Sequence, residues 1–73
     1  MTNATQPLAA ARGVESLLTA ARDLLIGAED MAKDGRLTAI AYWIRQRIDS
    51  LDDELLKEVR AIVEALGKAE PQP

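Results

Sequence analysis

Cysteine, histidine and phenylalanine are absent from this 73-residue chain, and its aromatic content is one tyrosine, Tyr42, and one tryptophan, Trp43. Without cysteine no disulfide can staple the fold, and without cysteine or histidine the usual zinc sites cannot form. The thiol and imidazole groups that serve most covalent and acid–base catalysis are missing too. Ser16 and Ser50 are the only serines, and both fall on polar helix positions. The four glycines are scattered, so no glycine-rich phosphate loop is present. No apolar run approaches the roughly 20 residues needed to cross a bilayer. The first residues, Met1 to Pro7, carry no basic stretch of a signal peptide. Nine basic side chains stand against 12 acidic, for a net charge of -3, which argues against phosphate-neutralising nucleic-acid binding. These absences lead to the expectation of a non-enzymatic, cytoplasmic protein with no cofactor, no metal and no membrane span.

What the chain has is apolar residues, 48% of the total. A domain this small buries only about 60% of its unfolded surface and usually needs a staple. With disulfides and zinc excluded, oligomerisation is the common staple that remains. The expected organisation is a disordered N-terminus over 1–6, one helical domain over 7–67 and a disordered tail over 68–73. Pro7 suits a first helical turn, with Thr5 the better cap before it, and Gly67 reads as a helix stop.

Two periodic segments fill the domain. In the first, expected over 7–33, Val14, Leu17, Ala21, Leu24, Ala28 and Met31 follow 3,4,3,4,3 spacing, a heptad a/d pattern. Leu18 and Leu25 recur on the adjacent position and widen the stripe. Asp34-Gly35 ends this segment, with Gly35 expected to supply a positive φ. The second segment, expected over 36–66, carries Leu37, Ala41, Ile44, Ile48, Leu51 and Leu55, and continues through Val59, Ile62 and Leu66. The step from Leu55 to Val59 inserts a residue relative to strict heptads, a stutter that locally unwinds the supercoil. Asp49-Ser50 before Asp52-Asp53-Glu54 resembles a helix start, so a three-helix bundle with a joint near Ser50 is the alternative to one long helix. The favoured fold is all-α, an antiparallel helical hairpin. Its apolar stripes exceed what one hairpin can cover, so two copies are expected to dimerise into a four-helix bundle.

Candidate contact residues lie off that register. Tyr42 and Trp43 fall on outer heptad positions beside Arg45, and Ile26 is an outer apolar residue on the first helix. Trp, Tyr and Arg dominate interface hot spots. The two rings either pack in the dimer seam or against the first helix, or anchor a partner protein. The acidic run with Asp52 and Asp53 is either a solvated face, a docking patch for a basic partner or, least in keeping with its spacing, a hard-cation site.

Glu15-Ser-Leu-Leu-Thr-Ala-Ala-Arg-Asp-Leu-Leu-Ile-Gly-Ala-Glu29, an acidic break, Arg36-Leu-Thr-Ala-Ile-Ala-Tyr-Trp-Ile44 and Leu51-Asp-Asp-Glu-Leu55 together resemble a family of small helical-hairpin proteins of unknown function from pseudomonads. In layout the chain is also similar to the phage-encoded anti-activators that bind host quorum-sensing regulators. That resemblance implies a small all-helical homodimer that inhibits or regulates a larger host protein. The alternative is a structural module, such as an assembly or secretion chaperone. A DNA-binding regulator fits less well, because the second segment continues as a long acidic helix instead of closing a three-helix core.

Overall fold

The computed structural model describes residues 6–69, the side chain of residue 69 excepted. Of the ends expected to be disordered, 1–6 and 68–73, residues 1–5 and 70–73 lie outside the described residues. Helix α1 spans Pro7–Asp34, helix α2 spans Thr38–Ser50, a π-helical segment spans Leu51–Leu56, and α3 spans Lys57–Ala69. No strand occurs among the described residues. Pro7 opens α1 behind Gln6, whose backbone is extended and whose side chain makes no cap. Gly67 does not stop the last helix, which runs on to Ala69.

The turn differs from its sequence reading in an instructive way. Gly35 has φ -85°, and the left-handed residue is Arg36, at φ 61°. Arg36 N–H donates to the Lys33 carbonyl at 3.0 Å, and Leu37 N–H donates to the Ala32 carbonyl at 2.8 Å. This is a Schellman closure, with the left-handed position one residue later than the glycine. Nothing in Arg36 favours that conformation. The two carbonyl bonds impose it, and the chain reverses so that the second arm returns along the first.

That second arm, 38–69, is continuous. Ser50, Leu51 and Lys57 all keep right-handed helical dihedrals, so no joint opens near Ser50. In its place the helix takes in one extra residue through the π-helical segment, on the stretch that contains the stutter. The arrangement is a two-arm hairpin, 54 × 24 × 16 Å.

The seam between the arms follows an unexpected line. On α1 it consists of Leu8, Ala11, Glu15, Leu18, Arg22, Leu25, Glu29 and Ala32, all buried or half-buried and spaced 3,4,3,4,3,4,3. On the second arm it consists of Ala41, Arg45, Ile48, Asp52, Leu56, Val59, Val63 and Leu66. Ile48 and Leu56 are fully enclosed. Three seam residues of α1, Glu15, Arg22 and Glu29, are charged, and each charge meets its opposite across the seam. Glu15 accepts from Arg60 Nε at 3.1 Å, Arg22 Nε donates to Asp52 at 2.6 Å, and Glu29 accepts two hydrogen bonds from Arg45, at 2.5 and 2.9 Å.

Within the single hairpin, the residues expected at the core or the dimer interface divide by burial. Val14, Leu17, Ala21, Leu24, Ala28 and Met31 are exposed, as are Leu37, Leu55 and Ile62. Ile44, Leu51 and Leu66 are half-buried, like Leu18 and Leu25, and only Ala41, Ile48 and Val59 of the expected set are buried. The physical reason lies in the charges. Glu15, Arg22 and Glu29 find counter-charges only on this line, whereas the purely apolar line one residue earlier needs no specific partner within the hairpin.

Candidate interaction surface

The exposed aliphatic residues form a single surface, which the half-buried Ile44 and Leu51 continue. On α1 each precedes a seam residue by one position: 14 before 15, 17 before 18, 21 before 22, 24 before 25, 28 before 29 and 31 before 32. One residue is a turn of about 100° around the helix. On the second arm Ile40, Ile44, Leu51, Leu55 and Ile62 likewise each precede a seam residue by one, and the extra residue of the π-helical segment keeps this relation intact past Leu56. Both stripes are therefore turned in the same sense from the seam, each about its own chain direction. Because the arms run antiparallel, equal turns bring the stripes to the same side of the hairpin. Leu17, Leu24 and Met31 are 74–76% exposed on it, and Val14, Leu37, Ile40, Leu55 and Ile62 are about half exposed. Together they present an area on the order of the ~800 Å² that each partner of a standard interface buries.

The residues singled out for partner contact separate in space. Trp43 lies five residues before Ile48, about 140° around the helix, so it points away from the seam. Tyr42 lies on the flank opposite the apolar face, beside a shallow open hollow lined by Glu29, Lys33, Thr38, Ala41 and Arg45. The rings touch edge-to-face with centroids 5.4 Å apart, and both side chains remain mostly exposed. Ile26 is half-buried on α1.

Arg45 and Asp52, candidate partner contacts from the sequence, are hydrogen-bonded within the hairpin. Arg45 also lies 3.6 Å from Asp49, and Glu29 is approached by Lys33 at 3.6 Å. The paired hydrogen bonds from Arg45 hold the Glu29 carboxyl below its ordinary range, against the opposing pull of burial. The hydrogen bond from Arg22 does the same for Asp52. Each guanidinium is correspondingly raised. Of the acidic run, Asp53 and Glu54 stay exposed, and Glu54 accepts from the Ser50 hydroxyl at 3.0 Å. Among the described residues no group of three or more carboxylates is placed to hold a metal ion.

Sequence reading missed the charged seam. Its signal was present: Glu15, Arg22 and Glu29 recur every seven residues on α1 with alternating sign, and Arg45, Asp52 and Arg60 answer them in reverse order. No family model, no curated protein and no solved structure matches this chain.

Proposed function

We propose that this protein is a non-enzymatic interaction module that acts as a homodimer, two hairpins closing their apolar faces into a four-helix bundle, and that it regulates or inhibits a larger protein. The single observation that carries the reading is the apolar face itself: two antiparallel heptad stripes on one side of a hairpin whose own seam is already filled. A second copy fits such a face because it offers the same length and the same spacing, with charge on the second arm's stripe only at Arg47 and Glu58. Tyr42 and Trp43 lie off that face, so they remain available to a different protein in the dimer. Their residue types and exposure match those of interface anchors.

Light scattering at micromolar concentration tests the first half. The expected mass is twice 7.9 kDa. Leu24→Asp should return the chain to a monomer by placing a charge in the closed face. A wild-type monomer throughout that range would reject the bundle. Affinity capture from the native host tests the second half: Trp43→Ala should keep the dimer and weaken partner binding by about 2 kcal/mol or more. If the dimer dissociates while partner binding survives, Trp43 belongs to the dimer and the outer-surface reading is lost.

A further inference from the structure

The two edges of the apolar face differ in chemistry, and the difference specifies how two copies meet. Along the outer edge of α1 lie Gly13, Ala20 and Gly27, seven residues apart and uncharged. A Cβ added at Gly13 or Gly27 would meet nothing within 4 Å in the hairpin, so the space above both is open. Along the outer edge of the second arm lie Arg47 and Glu58, each one position before a seam residue and each without an ion pair of its own among the described residues.

Two closed symmetric arrangements bring the apolar faces together with antiparallel neighbours. A two-fold axis along the helices sets α1 on the partner's second arm. Arg47 and Glu58 then face the uncharged edge of α1 and gain no counter-charge. A two-fold axis perpendicular to the helices sets α1 on the partner's α1 and each second arm on the other.

In the perpendicular arrangement each helix pairs with itself about a central residue. On α1, a centre at residue 22 places Leu24 opposite the partner's Ala20, Leu17 opposite the partner's Gly27 and Met31 opposite the partner's Gly13. Every large side chain of that edge meets a small one. On the second arm, pairing Arg47 with the partner's Glu58 puts the centre between residues 52 and 53. A perpendicular axis must cross both arms at one level. It does, because Arg22 and Asp52 are joined across the seam at 2.6 Å. The two centres come from different features, size on one arm and charge on the other, and they coincide.

We infer that the homodimer forms about a two-fold axis perpendicular to the helices at the level of the Arg22–Asp52 pair, with α1 packed on the partner's α1 and Arg47 paired with the partner's Glu58. This inference rests on the proposed bundle and adds its symmetry and register. Glycine at 13 and 27, a cost to the helix of about 1 kcal/mol each relative to alanine, then has a purpose, since it admits the partner's long side chains.

Charge reversal of the full-length chain, read by sedimentation equilibrium, tests it. Arg47→Glu and Glu58→Arg should each raise the dimer dissociation constant about tenfold, because the symmetry duplicates each like-charge contact. The double variant should return to within about threefold of wild type. Because the chain has no cysteine, Ala21→Cys, one residue from the axis on α1, provides an independent readout: mild oxidation should link two copies through α1. A wild-type monomer would overturn the bundle itself. A wild-type dimer in which the double variant stays as weak as the single ones and Ala21→Cys does not cross-link would overturn the perpendicular axis alone.

Discussion

Ile48 and Leu24, both aliphatic, stand at opposite extremes of burial in the same hairpin. Ile48 is wholly enclosed between the arms, whereas Leu24 is three-quarters exposed. Ile48→Ala, or Leu56→Ala, should therefore cost about 2–5 kcal/mol of hairpin stability, the usual range for a buried aliphatic truncation. Leu24→Ala should leave the hairpin's urea midpoint unchanged in dilute solution and weaken only self-association. Glu29 makes a different contribution. Its carboxyl and that of Asp52 sit below their ordinary pKa because Arg45 and Arg22 hydrogen-bond the charged forms. A carboxylate with a depressed pKa stabilises the fold above its unfolded pKa of about 4 and loses that contribution as pH falls through the folded value. Denaturation followed from pH 7 to pH 2 should show stability falling on the acid side of pH 4, and Glu29→Gln should make that fall shallower.

At the scale of the element, the π-helical segment Leu51–Leu56 carries the fold past a mismatch in the sequence. The seam of α1 repeats strictly in sevens, but on the second arm Ile48 to Leu56 and Asp52 to Arg60 are eight residues apart. A regular α-helix would turn everything after Leu55 by about 100°, placing Glu58 and Ile62 in the seam. The extra residue absorbed by the wider turn restores the phase. Deleting Asp53, an exposed residue inside the segment, should convert it to regular α-helix and keep Leu56, Val59 and Arg60 on the seam. Circular dichroism melting should give a midpoint no lower than wild type. Deleting Gln46, in regular helix, should instead rotate Ala41 and Arg45 off the seam and lower the midpoint sharply.

For the molecule as a whole, the dimensions are those of an extended, thin hairpin. The radius of gyration is 16.4 Å, where a globular chain of this length has about 11 Å. The accessible surface is 5522 Å², against roughly 4,400 Å² for a folded monomer of this mass. Two layers of helix joined on their apolar sides would supply the missing thickness. Dimerisation linked to folding makes stability depend on protein concentration. The melting midpoint should rise by roughly 5 °C or more over a hundredfold increase in concentration, a shift consistent with the entropy of unfolding of so small a chain. A constant midpoint over that range would indicate a hairpin that is stable alone.

The sequence by itself determined the helical class and the reversal after Asp34, favoured a continuous second arm over a joint near Ser50, and marked where the heptad spacing of that arm breaks. Each is a local property: heptad spacing, a glycine near a helix end, an unbroken apolar phase across Ser50, one inserted residue between Leu55 and Val59. It also contained both stripes of α1, but not the choice between them. The line through Leu17 and Leu24 is the more apolar, and apolarity alone assigns it to the core. Only the tertiary structure put the neighbouring line, with Glu15, Arg22 and Glu29, between the arms. A charge is accepted there only if its counterpart stands opposite, and those counterparts, Arg60, Asp52 and Arg45, lie 45, 30 and 16 residues away in the chain. The same long-range pairing decided that Arg45 and Asp52 are held within the fold, and that the apolar line is left outside, facing solvent.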